Sequence, residues 1–550
     1  MACILLFTLA GMIFRAAQLQ LVRGEMYREN LEQMRLSRSF VPATRGSILD
    51  RNGAFLANST VSRQINITET FKGVFGQKRA ELLFELSLLT GLSEVEIREK
   101  MGKGQNIPLG SETTVSNPLV LVEYDFLRHY PFSGSISHVL GYTRQGVIGV
   151  AGVEKSFDSW LAGTPGQYRI EMDSSTRQLS THWIQRPVPG KDLVLSIDLS
   201  LMQFLDQLLA EQGKNGVILV SNPATGEILG MASHPYVDSQ KMAGDFSEEE
   251  WENITADPTH PLVNRAIQTT YHPGSLVKPL ISLCALSQPA PFVQQLVVGR
   301  EECKGTLRIP TSTGIDAIYR DWRESGHGVL SFFEAIEKSC NVFFYRLGMK
   351  VGIDAMVEFV RNSALTQVSG IELAGEVPSI FPSEEWKMNQ LGERWYLGDT
   401  ILTSIGQGFV QFTPMGMLKM LELIANEGWV YDSTLLRAKK GTPRKSVFLP
   451  DSYWNYLKSA MGAVVSRPGG TAYSVFRDWQ RGKELAGKTG TAETGEAGVY
   501  HSWFGGFFPK KEPRIAILVL VEKGGFGSET ATPLARKVLE WLEKEGKLPE

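Results

Sequence analysis

At 550 residues the chain is too long for one ordinary hydrophobic core, so two or more domains are expected. Hydrophobic residues make up 43% and charged residues 21%, the balance of a globular body rather than a disordered or polytopic membrane chain. A formal charge of -3 supplies no basic field, which sets nucleic-acid binding aside.

The apolar exception is the start, ACILLFTLAGMIF, thirteen residues from Ala2 to Phe14 without a charge before Arg15. That is short of the roughly 20 needed to cross a bilayer. No Lys or Arg precedes it and no small-residue cleavage site follows, which argues against a cleaved signal peptide. Residues 1–22 read as a membrane anchor helix whose completeness is open, with a buried N-terminal helix as the alternative.

From Gln18 to Met34 the pattern is helical, and it leads into SFVPATRGSILDRNGAFLANSTVSRQINI, where Asn52-Gly53 signals a turn between extended runs. RAELLFELSLLTGLSEVEIREKM carries apolar residues at helical intervals, with Ser93 and Glu96 placed as a capping box. GVAGVEKSFDSWLAGTPG closes this region with a short helical run, and Pro187, Pro189 and Gly190 mark a linker. The expected division is 23–185 for a non-catalytic domain and 186–550 for a second one. In the second, LVLSID and GVILVSN read as strands around a helix from Leu199 to Glu211, followed by a turn at NPATGE and the run ILGMAS. HSWFGGFFP and PRIAILVLVEK read as paired strands ahead of a helix, LARKVLEWLEKEG. The fold class is mixed α/β or α+β, without internal repeats.

Three short motifs carry the chemistry. Pro273-Gly274 is a turn, and SLVKPLISLCAL after it is apolar enough for a central helix, which sets Ser275 at a helix N-terminus. Residues three apart share a helix face, so the Lys278 amine returns toward the Ser275 hydroxyl. A serine hydroxyl needs such a base, and burial beside other cations or hydrogen-bond partners lowers a lysine pKa toward that use. Pro279 fits less well, since it removes a hydrogen bond from the first turn.

Ser339-Cys340-Asn341 follows LSFFEAIEKS and precedes NVFFYRLGM, and polar side chains inside an apolar helix need partners. Ser339 would relay a proton between Lys278 and a leaving amine, and Asn341 would bind a substrate amide. ELAGKTGTAE sets Lys488, Thr489 and Gly490 on a strand edge, with Gly490 permitting close backbone approach. Lys488 and Thr489 would hold a carboxylate. The N–H groups of Thr491 and Ser275 would hold an oxyanion, worth about 3 kcal/mol per donor. Each motif alone is weak, but the three in this order are shared by β-lactamases and penicillin-binding proteins.

Over almost its whole length the chain resembles class B penicillin-binding proteins, the monofunctional transpeptidases of peptidoglycan synthesis. RGSILDRNG and GVEKSFDSWLAGTPG are similar to that family's pedestal, or dimerisation-type, domain, which β-lactamases lack. YHPGSLVKP, RDWRESGHG and SIGQGFVQFTP look closer to the elongation-type penicillin-binding protein 2 group than to its division counterpart. The resemblance implies a serine β-lactamase-like domain, an antiparallel sheet flanked by helices, preceded by an elongated pedestal and a membrane anchor. It also implies the reaction. Ser275 attacks the D-alanyl-D-alanine bond of a stem peptide, D-alanine leaves, and an amine of a neighbouring stem takes the acyl group; β-lactams acylate the same serine. A catalytic domain on the outer face of the cytoplasmic membrane, chemistry without a cofactor, and a SEDS-type glycosyltransferase partner within the elongation machinery are further implications. The alternatives are a division-type transpeptidase, a carboxypeptidase or β-lactamase, and a β-lactam sensor. The pedestal sequence and the length oppose the hydrolases, and the lack of further apolar spans opposes a polytopic sensor.

Of four cysteines, Cys3 and Cys284 lie in apolar runs, while Cys303 and Cys340 have polar surroundings. Cys303, Asp321, His327 and Cys340 form a chemically sensible four-ligand zinc set, and some members of the penicillin-binding protein 2 group are expected to hold metal at similar positions. On a helix, Cys340 would point away from Ser339 and Asn341 and pin that wall from behind. A Cys303–Cys340 disulfide and two unrelated thiols are the competing readings.

Overall fold

The computed structural model describes residues 2–18, 20 and 36–549, except 111, 112, 116, 118, 133, 173–177, 245, 246, 312, 313 and 438. The helical pattern from Gln18 to Met34 therefore lies almost wholly outside the described residues. Ala2–Ala17 forms a helix of 16 residues with Met12, Ile13 and Phe14 exposed. No helix among the described residues is long and apolar enough to cross a membrane.

In the N-terminal body the strand Phe55–Ile65 is the hub, pairing antiparallel with Ile48–Leu49, Ile107–Leu109 and Val122–His129. The Asn52-Gly53 turn forms as its sequence predicts. Asp50 Oδ1 accepts from the N–H groups of Asn52 and Ala54, both at 2.8 Å, and Gly53 takes φ 91°. The long amphipathic run is two helices rather than one. Gly76–Thr90 stops at Gly91 in the left-handed region, and Ser93 with Glu96 caps Glu94–Gly102 by the expected box. These helices bury Leu82, Leu86 and Ile97 in a small core of their own with Ile65 and Ile107.

A buried charge cluster fastens the rest of this body. Glu154 is inaccessible to solvent; it accepts from Arg45 Nε at 2.6 Å and Arg128 Nε at 2.7 Å. The motif RGSILDRNG supplies one arginine and GVEKSFD the carboxylate, so two separated stretches meet at one ion triad.

The C-terminal body has twelve elements that bear on the candidate site. In chain order they are α1 (Leu199–Gln212), β1 (Gly216–Asn222), β2 (Glu227–His234), α2 (Lys278–Leu286), α3 (Phe332–Glu337), α4 (Asn341–Val351), α5 (Pro414–Ala425), α6 (Asp451–Ser466), β3 (Ala486–Glu493), β4 (Tyr500–Phe508), β5 (Ile515–Val521) and α7 (Ala531–Lys544). The strands form one antiparallel sheet in the order β2-β1-β5-β4-β3. All of IAILVLV in β5 is buried, as a strand covered on both faces requires. Helices α1 and α7 pack together against the sheet, and α5, buried along its entire length, packs on β1, β4 and β5. Strand β3 is the sheet's edge.

LVLSID departs from its expected role. Only Leu193–Val194 is strand, and it pairs parallel with Ile48–Leu49 of the N-terminal body instead of joining the central sheet. The segment thus stitches the two bodies together.

Removing a carboxylate from between two buried guanidiniums leaves both uncompensated, which costs about 3–5 kcal/mol. Glu154→Ala is expected to lower unfolding stability by that order in a denaturant titration. A loss below about 1 kcal/mol would mean the triad is not what holds this body together.

Candidate active site

Four chain segments build the pocket, and backbone crowding decides where they meet. Gly274 takes φ 52°, and a Cβ there would lie 2.3 Å from the Thr491 carbonyl oxygen. Its N–H donates to the Gly406 carbonyl at 3.0 Å. Only glycine lets the turn lie this close to β3 while holding a left-handed backbone. The next residues, Gly274–Val277, form a 3₁₀ turn that passes into α2 through the Lys278 N–H to the Ser275 carbonyl. Ser275 is half-exposed on that turn, and all nine residues of α2 are buried. Pro279 is accommodated without loss: the helix begins at Lys278, so its second residue has no intrahelical acceptor for an N–H.

Lys278 is fully buried, with Nζ donating to the Ser339 carbonyl at 2.7 Å, Asn341 Oδ1 at 2.7 Å and Ser339 Oγ at 3.3 Å. Its hydrogen bonds run to the second motif rather than to Ser275 one turn earlier. Catalytic contacts of this kind commonly tighten only with substrate bound. Burial lowers the Lys278 pKa to about 8 against the opposing pull of Asp321 and Cys340.

Ser339 and Asn341 do not sit inside one helix, as the apolar pattern around them suggests. Ser339 lies in the turn between α3 and α4 with φ 56°, Cys340 caps α4 by accepting from the Phe343 N–H at 3.4 Å, and Asn341 is the first residue of α4. That left-handed residue aims both the Ser339 carbonyl and its hydroxyl at Lys278. Lys488, also fully buried, donates to Ser339 Oγ at 2.8 Å and to the Thr489 carbonyl at 3.0 Å. Burial and the neighbouring Lys278 push its pKa well below the ordinary lysine value. Lys278, Ser339, Asn341 and Lys488 thus meet through hydrogen bonds, and β3, which carries Lys488, packs against the Ser275 turn.

Gly490 does permit close approach, but of this protein's own chain: a Cβ there would lie 3.0 Å from Leu276 Cβ and from the Pro273 carbonyl oxygen. Thr491 Oγ1 accepts from the Gly527 N–H at 3.1 Å, while its carbonyl faces Gly274. Thr489 Oγ1 lies 2.6 Å from Thr471 Oγ1. Thr471 escaped the sequence reading. Its one signal is the glycine pair before it, which turns the chain back from α6 toward β3.

Behind the Ser339 turn, the donor atoms of Cys303, Asp321, His327 and Cys340 all lie within 4.8 Å of one another. Asp321 Oδ2 is 3.2 Å from Cys340 Sγ and 3.6 Å from Cys303 Sγ; His327 Nδ1 is 3.8 Å from Cys303 Sγ and 3.5 Å from Asp321 Oδ1. Tetrahedral zinc with its usual bond lengths sets its donors roughly 3.3–3.8 Å apart, so the set fits. Cys303 and Cys340 are free thiols, and burial with the Asp321 carboxylate pushes the Cys340 thiol up. Cys340 turns toward this cluster from the helix cap, not from within a helix.

A lysine whose pKa is near 8 is roughly a tenth neutral at pH 7. If neutral Lys278 is the base, its active fraction grows as pH rises. The rate constant for acylation of Ser275 by a β-lactam is then expected to rise about tenfold from pH 7 to a plateau above pH 9. A rate that is flat or falls across that range removes Lys278 from the role.

Comparison with known proteins agrees with this geometry. The family model for the penicillin binding protein transpeptidase domain matches residues 216–540, and that for the penicillin-binding protein dimerisation domain matches residues 40–195. The chain is 28% identical to the peptidoglycan D,D-transpeptidase MrdA of Haemophilus influenzae, over 98% of this chain and 90% of that protein. It is 29% identical to MrdA of Escherichia coli K12, over 95% and 90%. Among solved structures, PBP2 of Helicobacter pylori in complex with MreC matches with a TM-score of 0.77 at 26% identity, covering 93% of this chain and 99% of that one. Pseudomonas aeruginosa PBP2 in complex with WCK 5153 matches with a TM-score of 0.70 at 28% identity, covering 94% and 98%. With the transpeptidase model alone spanning more than half of its length, the chain belongs to the penicillin-binding protein transpeptidase family.

Proposed function

We infer that this chain is a peptidoglycan D,D-transpeptidase of the elongation type, which cross-links stem peptides through an acyl-enzyme on Ser275. The observation that carries this reading is the hydrogen-bonded meeting of Lys278, Ser339, Asn341 and Lys488, with Lys278 three residues beyond Ser275. The MrdA relatives and the PBP2 structures support the elongation assignment over the division counterpart. A pedestal fused to the catalytic body supports cross-linking over simple hydrolysis.

In the first half-reaction Ser275 Oγ adds to the carbonyl of the penultimate D-alanine as neutral Lys278 takes the hydroxyl proton. The N–H groups of Ser275 and Thr491 receive the oxyanion. Asn341 orients the substrate amide, while Lys488 and the Thr489 hydroxyl, braced by Thr471, receive the terminal carboxylate. The C–N bond breaks as the nitrogen gains a proton from Lys278 by way of Ser339, and D-alanine departs. In the second half an acceptor amine adds to the ester carbonyl and gives up its proton along the same relay. The Ser275 C–O bond then breaks, restoring the hydroxyl. A β-lactam follows the first half and stays bound because its ring nitrogen remains tethered to the acyl group.

Cys303, Asp321, His327 and Cys340 would hold a structural zinc ion, which supplies charge neutralisation to two buried thiolates and a carboxylate. The Asp321 carboxylate also accepts from the Val342 N–H at 3.0 Å, so the ion would fix the start of α4. Residues 1–22 would anchor the chain in the cytoplasmic membrane, with both bodies outside and a SEDS-type glycosyltransferase as partner. The structure of a PBP2 relative bound to MreC supports a place in the elongation machinery.

Ser275→Ala is expected to abolish covalent labelling by a fluorescent penicillin, with the wild-type label recovered in the membrane fraction. Persistent labelling refutes the nucleophile, and label confined to the soluble fraction refutes the anchor. Metal analysis of the purified protein is expected to find about one zinc per chain, falling on Cys303→Ala substitution. Stoichiometry near zero with both thiols freely reactive would end the zinc assignment.

A further inference from the structure

A cavity of about 350 Å³ opens where the two bodies meet, apart from the Ser275 pocket. The pedestal contributes Tyr142, Val150 and Lys155 to its wall, and the catalytic body contributes Met242, Ile267 and Leu373. Its volume lies within the range of about 300–1,000 Å³ common to small-molecule sites.

The pedestal side of the cavity is preformed by interlocked backbone. A Cβ on Gly141 would lie 1.9 Å from the Ala151 carbonyl oxygen, and one on Gly152 would lie 2.4 Å from the Gly141 nitrogen. The wall contains no Asp, Glu or Arg. His138 is held neutral by burial, its pKa lowered to about 4, so Lys155 is the one charged residue in the lining at neutral pH. Lys155 is exposed, and the carboxylate next to it in sequence, Glu154, is fully engaged by Arg45 and Arg128. No carboxylate pairs with Lys155 among the described residues.

A chamber lined by Met242, Ile267 and Leu373, with Ser137, Ser239, Asn264 and Gln268 as uncharged polar groups and one unpaired ammonium at its wall, selects for a ligand with a largely apolar body and one anionic end. We propose that this cavity is a binding site for a small amphipathic carboxylate, its apolar part between Met242, Ile267 and Leu373 and its carboxylate on Lys155. Such a ligand touches both bodies at once, so it stabilises their present arrangement in proportion to its occupancy.

The test uses the full chain acylated beforehand with benzylpenicillin, so that the Ser275 pocket is filled, and N-acetyl-L-leucine as the probe. Calorimetric titration is expected to give saturable binding and a melting temperature that climbs with probe concentration. Neutral N-acetyl-L-leucinamide, and the Lys155→Met variant with the acid, are each expected to bind about tenfold more weakly or worse, while Lys155→Arg retains binding. Ala374→Trp, at an exposed position on the rim, is expected to weaken binding by filling the mouth. Absence of saturable binding overturns the proposal. So does binding that is indifferent to both Lys155→Met and Ala374→Trp. Because benzylpenicillin acylation is verified before the titration, failure of the Ser275 reading would be seen separately.

Discussion

Two lysines without solvent access, Lys278 and Lys488, donate to the same hydroxyl, that of Ser339. Two buried ammonium groups that close repel each other and lose their hydration, so neither is tolerated fully charged without compensating acceptors. The Ser339 carbonyl and Asn341 Oδ1 provide them for Lys278, and the Thr489 carbonyl does so for Lys488. What remains of the penalty appears as lowered pKa values, which is the property a lysine base requires. The left-handed backbone at Ser339 is part of the same arrangement, because it turns two acceptors of one residue toward one ammonium.

Rigid surroundings keep this cluster in register. The turn carrying Ser275 is pressed against the sheet edge by contacts that no side chain interrupts. Gly274 lies on the Thr491 carbonyl, a Cβ on Gly406 would meet the Gly274 carbonyl oxygen at 2.4 Å, and one on Gly527 would meet the Gly490 oxygen at 2.2 Å. Helix α2 is buried throughout and packs against α4 and α6, so the nucleophile stands on elements that cannot shift without repacking the core. The cysteine, aspartate and histidine cluster lies on the far side of the Ser339 turn and braces it from a third direction.

The pedestal is tied to the catalytic body by a shared apolar core, in which Ile48, Leu56, Val139 and Val153 join Leu195, Ile197 and Leu205, and by polar contacts along the seam. Leu193–Val194 pairs with Ile48–Leu49, and Asp50 Oδ2 accepts from the Leu199 N–H at 3.2 Å at the start of α1. Asp198, which caps α1, also receives Lys547 near the end of the chain at 2.6 Å. The Asn52-Gly53 turn therefore sits at a junction of three distant segments, which explains why a tight, self-bonded turn is built there. The cavity beside Lys155 opens in the same seam.

Local chemistry was legible in the sequence: the Ser275 and Lys278 spacing on one helical turn, the Ser93 cap, the Asn52-Gly53 turn, and the apolar strands β4 and β5. Each rests on interactions between residues a few positions apart, or on a periodicity that burial imposes directly. What only the tertiary structure decided was which of these pieces meet, and in what backbone state. Helical periodicity around Ser339 and Asn341 hid a left-handed turn, because the flanking helices α3 and α4 are both apolar and differ only in direction. LVLSID has the composition of a central strand, yet it pairs with another body, since a strand's composition reports burial and not its partner. Thr471 carries no motif, and its role rests on a contact across 18 residues. The convergence of two lysines on one hydroxyl spans separations of 61 and 149 residues, distances at which composition and periodicity hold no information about neighbours.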